Sequence, residues 1–221
     1  MKPLIMAHRG GDCFATENSL EAIQQSLRYQ PDIIEIDVRK STDGVIYCYH
    51  GQALEFILPG IFFKKTFSEL KMKYPTIVTL KEIVSVVADK CVLFVDVKDN
   101  SIPSEELVEE LKQLSKVYLA SQSLKFLEKL PPLPFNWKTV CNGEVWLLTN
   151  KKYSKIISSR VNILELFWWD FSRSNLNQLK ENQIETALAS WLLPQKLYLN
   201  ECFSKNSAWV WIKEFYKLKN R

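Results

Sequence analysis

Two stretches of this chain place carboxylates inside otherwise apolar runs. Glu35 and Asp37 alternate with Ile34, Ile36 and Val38, and Asp96 and Lys98 alternate with Val95 and Val97. Side chains along a strand alternate faces, so Glu35 and Asp37 share one side, and so do Asp96 and Lys98. Charge inside an apolar strand is costly unless it is paired or bound to a metal. Several like charges gathered in one buried place call for a cation. The simpler alternative is that each carboxylate pairs with a nearby Lys or Arg.

The only two histidines, His8 and His50, stand near these positions. His8-Arg9-Gly10-Gly11 ends the first apolar run of the chain. Between Asp37 and His50 lies Asp43-Gly44, a strong two-residue hairpin signal. With that pair as the turn, Thr42 faces Val45, and counting outward sets Asp37 opposite His50. The hairpin therefore folds His50 back beside the carboxylate pair.

The elements that must position these residues are short apolar runs at 4–7, 33–38, 92–97, 117–120, 145–148, 163–168, 186–189 and 208–212. Helical patterns lie between several of them, at 19–28, 80–88, 105–114, 124–130 and 176–183. Near-continuous apolar strands separated by helices indicate a parallel sheet covered on its outer side. Eight such runs predict an α/β fold, a (β/α)8 TIM barrel with a β-hairpin after the second strand, whose active sites lie at the C-terminal strand ends. The last three runs also fit an open doubly wound sheet. A length of 221 residues fits one domain, 1–221, with no clear linker.

Bulk composition excludes some classes of function. The chain has 29 basic and 25 acidic residues, a net charge of +4, without the concentrated basic stripe that nucleic acid calls for. The basic tail at 213–221 reads as a solvated helix face. Five irregularly spaced cysteines with no Cys-x-x-Cys pair argue against a zinc site and for a reducing, cytoplasmic setting. The first residues are too short of apolar character for a signal peptide, and no apolar run reaches the 18 residues of a membrane span.

The order His8-Arg9-Gly10, Glu17-Asn18-Ser19, Glu35-Ile36-Asp37-Val38, Thr42-Asp43-Gly44 and His50 resembles the glycerophosphodiester phosphodiesterases. That family reads His-Arg-Gly, Glu-Asn-Thr, Glu-x-Asp-Val, Asp-Gly and His-Asp. Thr79-Leu80-Lys81-Glu82 is similar to its Thr-Leu-x-Glu helix start, and Asp96-Val97-Lys98 to its Glu-x-Lys. The resemblance covers residues 4–98 and implies a TIM barrel holding one divalent cation. It makes Glu35, Asp37 and Asp96 the ligands, and an all-oxygen set selects a hard ion, Mg²⁺ or Ca²⁺. It makes His8 and His50 the general acid and base, and gives Arg9 and Lys98 the phosphate. The implied partner is a small-molecule phosphodiester, cleaved to glycerol 3-phosphate and an alcohol. Two departures stand out: Gly51 follows His50 where the family has Asp, and Asp96 replaces Glu. The family's Trp-Thr-x-Asn is reduced to Ala189-Ser190-Trp191, and its final Thr-Asp-x-Pro is missing.

Weaker signals complete the reading. Thr16 is expected to cap the helix that follows, while the resemblance places Glu17 in the site as a supporting group. Trp191, at a strand end, is the aromatic candidate for a substrate wall. Phe167-Trp168-Trp169 and Trp209-Val210-Trp211 read as packing residues, with a lipid-facing or dimer surface as the alternative. Two other functions fit: lysophospholipase D-like action on membrane lipids through peripheral contact, and an inactive barrel that binds a phosphorylated ligand.

Overall fold

The computed structural model describes residues 4–51, 64–142, 150–167, 173–189 and 209–212. Among these residues ten strands run in chain order: β1 (Leu4–Ala7), β2 (Ile33–Lys40), β3 (Ile46–Cys48), β4 (Val78–Thr79), β5 (Val92–Val97), β6 (Val117–Ser121), β7 (Lys138–Cys141), β8 (Ile163–Phe167), β9 (Glu185–Ala189) and β10 (Trp209–Ile212). Seven helices accompany them among the described residues: α1 (Leu20–Leu27), α2 (Phe67–Lys73), α3 (Leu80–Val87), α4 (Ser104–Leu111), α5 (Leu124–Glu128), α6 (Asn150–Ile157) and α7 (Arg173–Glu181). No helix among the described residues is long and apolar enough to cross a membrane.

Eight strands pair in parallel in the order β1-β10-β9-β8-β7-β6-β5-β2. β1 pairs with β10 on one side and with β2 on the other, so the ring closes. Closure excludes the open doubly wound alternative and gives the (β/α)8 barrel. β3 and β4 form an antiparallel extension outside the ring, beyond the C-terminal end of β2.

Alternation along each strand sorts the core into two layers. Inside the barrel pack Met6, Ile33, Phe94, Tyr118, Ala120, Val140, Ile163 and Ala187. Between barrel and helices lies a larger cluster that includes Ile34, Ile36, Leu93, Val95, Ile83 and Leu107. The helices start where their caps dictate. Thr79 and Glu82 form a reciprocal capping box that opens α3, and Thr66 and Glu69 do the same for α2. α1 is capped by Ser19, whose hydroxyl accepts from the Ala22 N–H at 3.2 Å. Thr16, the expected cap, lies three residues upstream of it.

Seven of the eight expected runs correspond to barrel strands. The eighth, 145–148, lies outside the described residues, and the ring position expected for it is taken by β7. A polar first residue disguised that strand: Lys138 pairs with Glu185 at 2.5 Å and stands 5.7 Å from the Tyr118 ring centroid.

The hairpin register also differs from expectation. β2 and β3 pair Val38 with Cys48 and Lys40 with Ile46, so Asp37 faces Tyr49, whose N–H donates to the Asp37 carbonyl at 3.0 Å. The turn has three residues, Thr42-Asp43-Gly44, instead of two. Its ends are joined by Ser41 N–H to Val45 O at 3.0 Å, and it is closed by Gly44 N–H to Ser41 O at 3.1 Å. Gly44 takes φ +89°, the left-handed third position of such a loop. Asp43 is drawn off the two-residue turn by other partners: it accepts from the Ser41 hydroxyl at 2.6 Å and from the Phe67 N–H at 2.9 Å.

Candidate active site

The site forms at the C-terminal ends of β1, β2 and β5, where three loops meet. β2 and β5 pair Asp37 with Asp96. Glu35, Asp37 and Asp96 are each at most 1% exposed, and one carboxylate oxygen from each lies within 4.8 Å of the others. Lys98 answers part of this charge, with its Nζ 2.5 Å from Asp96 Oδ2 and 3.2 Å from Asp37 Oδ1. Glu35 Oε1 and Asp96 Oδ1 are buried with no hydrogen-bond partner among the described residues. The simple alternative, one basic partner per carboxylate, therefore does not describe the site.

The electrostatics follow from this crowding. Burial and repulsion from Asp37 and Asp96 push the Glu35 carboxyl well above its ordinary range. Burial pushes Asp37 the same way, but Lys98, His50 and the Asn18 hydrogen bond outweigh it and hold that carboxyl low. Burial opposes the Lys98 charge, and Asp96 and Asp37 more than restore it.

His8 and Arg9 leave β1 in a single tight turn, His8–Gly10. Arg9 itself sits at φ +49°, ψ +43°, a left-handed conformation that costs a non-glycine residue about 1 kcal/mol or more. The strain is held by bonds on both sides: the Arg9 N–H donates to Glu35 Oε2 at 2.5 Å, and the Arg9 carbonyl accepts from the Asn18 N–H at 2.8 Å. Glycine is obligatory at the next corner. Gly11 has φ +102°, and a Cβ there would stand 2.0 Å from Ser26 Oγ. The Arg9 guanidinium donates to Glu17 Oε2 at 2.6 Å and lies with its Nε 3.8 Å from Asp37 Oδ2. That Nε has no hydrogen-bond partner among the described residues. Glu17 is therefore placed behind Arg9, holding it.

His8 is 20% exposed, with its Nδ1 3.9 Å from Asp12 Oδ2. Burial, reinforced by the neighbouring Arg9 charge, lowers its pKa from 6.5 to about 3, so the imidazole is neutral. His50 follows β3, and its pKa is also lowered, by burial first. Its Nδ1 is 2.8 Å from the Gly51 carbonyl. Buried Arg39 grips the same segment, with Nε donating to Tyr49 O at 3.2 Å and Nη2 to His50 O at 2.8 Å. These main-chain contacts orient the imidazole where the family's Asp is replaced by Gly51.

Two groups at the site escaped the sequence reading. Asn18 makes a reciprocal pair with Asp37: its Nδ2 donates to Asp37 Oδ2 at 2.8 Å, and its Oδ1 accepts from the Asp37 N–H at 2.9 Å. Its signal is its place in the Glu17-Asn18-Ser19 string, beside the charged Glu17. Glu165, in β8, is 6% exposed, and its carboxyl is raised well above the ordinary range by burial and then by Asp96. Its signal was a lone carboxylate in an apolar run, the same sign that marked Glu35. Trp191 lies outside the described residues.

The likenesses to known proteins agree with this geometry. The profile of the glycerophosphoryl diester phosphodiesterase family matches residues 8–192. A glycerophosphodiester phosphodiesterase of Caldanaerobacter subterraneus subsp. tengcongensis is 27% identical over 156 residues, 60% of this chain and 64% of its own. The aligned stretch is thus less than two thirds of that relative's length, and a separate match of 55 residues, 38% identical, spans 17% of a glycerophosphodiester phosphodiesterase from Arabidopsis thaliana. Among solved structures, the glycerophosphodiester phosphodiesterase of Thermotoga maritima superposes with a TM-score of 0.80 at 20% identity, covering 100% of this chain and 99% of that one. An Oleispira antarctica phosphodiesterase, solved with its product sn-glycerol-3-phosphate, superposes with a TM-score of 0.77 at 19% identity, covering 99% and 96%. With the barrel closed, the carboxylates gathered at its mouth and the profile running through both, the chain belongs to the glycerophosphoryl diester phosphodiesterase family.

Proposed function

We propose that this chain, acting as one domain over residues 1–221, hydrolyses glycerophosphodiesters to glycerol 3-phosphate and an alcohol with the help of one divalent cation. The observation that carries this reading is the buried triad Glu35, Asp37 and Asp96, whose excess of negative charge is only partly met by Lys98 and Arg9. The fit to a cation rests on the donor set: oxygen alone, with buried oxygens of Glu35 and Asp96 still lacking a partner among the described residues. That chemistry suits Mg²⁺ or Ca²⁺. Bound there, the ion would neutralise charge that develops on the phosphoryl oxygens.

The protein's own groups supply the rest. Lys98 and the Arg9 guanidinium give the phosphate positive partners in a partly buried place, where each charge–charge contact is stronger than in water. Asn18 fixes the Asp37 carboxylate, and Glu17 fixes Arg9. In-line displacement needs a base at the attacking oxygen and an acid at the leaving oxygen, on opposite sides of phosphorus. His8 and His50 divide these roles. One takes the proton as the new P–O bond forms, and the other gives a proton to the departing alcohol as the old P–O bond breaks. Water as the attacking group yields glycerol 3-phosphate directly, the product held by the Oleispira relative. The odd, irregular cysteine set supports a reducing, cytoplasmic setting for this reaction.

Purified protein assayed on a panel of glycerophosphodiesters and lysolipids, with chelator and with added Mg²⁺ or Ca²⁺, tests the reading. Glycerol 3-phosphate released from the glycerophosphodiesters only when a cation is present is the expected result. Preference for the lysolipids, or no turnover under any condition, overturns it.

A further inference from the structure

Two buried oxygens on the far wall of the barrel have no hydrogen-bond partner among the described residues: Asn142 Oδ1 and Glu165 Oε2. β7 and β8 pair Val140 with Ile163 and Cys141 with Leu164, and the same register carried one step past the end of β7 sets Asn142 level with Glu165. Val140 and Ile163 belong to the inner apolar cluster. Glu165, two positions beyond Ile163 on β8, shares that inner face one level higher, toward the C-terminal mouth, and the register brings Asn142 to the same level. β8 is four strands away from β2 in the ring of eight, which is the opposite wall from Glu35 and Asp37. The charges of Asp96 and Lys98 still reach the Glu165 carboxyl, so it borders the same mouth, yet it is not part of the carboxylate triad.

The chemistry of this pair points to one kind of group. A carboxyl group accepts hydrogen bonds, and an asparagine amide both donates and accepts them. Hydroxyl groups, which also donate and accept, match both partners, whereas an ammonium only donates. We propose that Asn142 and Glu165 form a subsite for the hydroxyl-bearing end of the substrate, the glyceryl diol, across the barrel mouth from the carboxylates. This rests on the glycerophosphodiesterase reading and deepens it: the triad wall takes the phosphate, and the β7–β8 wall reads whether the esterified alcohol carries hydroxyls.

Calorimetric titration with glycerol 3-phosphate and with ethyl phosphate, both in Mg²⁺, tests the subsite without turnover. Wild-type protein binds glycerol 3-phosphate about tenfold or more tightly than ethyl phosphate, the scale of one or two buried hydrogen bonds. Glu165→Leu and Asn142→Leu, each checked by its melting curve and read separately, bring glycerol 3-phosphate down toward ethyl phosphate and leave ethyl phosphate unchanged. Glu165→Gln keeps most of the preference. A wild type that does not discriminate, or variants that lose both ligands equally or neither, overturn the subsite. Hydrolysis of glycerophosphodiesters without discrimination in binding sinks the subsite alone, whereas discrimination without hydrolysis sinks the proposed function and leaves the subsite standing.

Discussion

Charges are placed inside both ends of this barrel, and they are matched at one end only. At the N-terminal floor, Lys138 meets Glu185 one to one, at 2.5 Å, with both side chains partly in solvent. At the C-terminal mouth, Glu35, Asp37 and Asp96 crowd against Lys98 and Arg9, nearly out of reach of water, and two of their carboxylate oxygens have no hydrogen-bond partner among the described residues. A matched pair near solvent contributes little and threatens nothing. An unmatched buried cluster costs stability and persists only where something else makes use of it. The floor settles its charge locally at little gain or loss, and the mouth holds charge that its own side chains do not balance.

The sharpest test of that division concerns the mouth's two histidines. His8→Ala and His50→Ala should each lower turnover by roughly 10²–10⁴-fold, the usual contribution of a positioned proton-transfer group. Metal affinity should survive, because neither is a proposed ligand. Near-normal turnover in either variant, measured beside wild type, refutes the acid–base pair. Lost metal affinity would instead make that histidine a ligand.

The two ends should also respond differently to the loss of a lysine. Lys98→Met leaves Asp37 and Asp96 buried without their cation and should destabilise the metal-free protein by roughly 3–5 kcal/mol. Lys138→Met removes one partner of a half-exposed pair and should cost about 1 kcal/mol or less, with turnover unchanged. Denaturant melts of the two variants read the difference, and equal losses would erase the distinction between floor and mouth.

A gentler probe is pH. The Glu35 carboxyl is raised in the folded chain, so above its unfolded pKa of 4.5 the folded state holds a proton that the unfolded state has lost, and stability falls as pH rises. His8 works the other way: with its pKa lowered from 6.5 to about 3, the unfolded state binds the extra proton in that window, and stability rises with pH until about 6.5. Glu35→Gln removes the carboxyl trend and leaves the His8 trend, so the two proteins separate. As pH rises from 4.5, the melting temperature of chelated wild type should fall relative to that of Glu35→Gln. Parallel profiles in the two proteins contradict the crowding.

How much of this was legible before the structure depends on what kind of signal each element carried. Strands buried on both faces announce themselves as apolar runs, and β1 and β5 have the expected ends, 4–7 and 92–97. β7 was hidden because Lys138 and Thr139 face partners that a run of letters does not show: Glu185 for one, and Asn162 and the Arg160 carbonyl for the other. The hairpin register slipped by one because Asp43 spends its carboxylate on Ser41 and Phe67, which lengthens the loop. The triad was legible because charge in an apolar strand is a local anomaly. Asn18 was not, because an asparagine before a helix is ordinary, and its pairing with Asp37 spans 19 residues. Glu165 carried the same anomaly as Glu35 and was absorbed into the run around it.

The central claim is that the three carboxylates at the mouth exist to hold a cation. Calorimetric titration of chelator-stripped protein with Mg²⁺ and with Ca²⁺, for wild type, Asp37→Asn and Asp96→Asn, tests it directly. The account predicts one ion per chain in wild type, and affinity that falls sharply in both variants while they remain folded. Absence of binding in wild type, or equal binding in all three proteins, would contradict it.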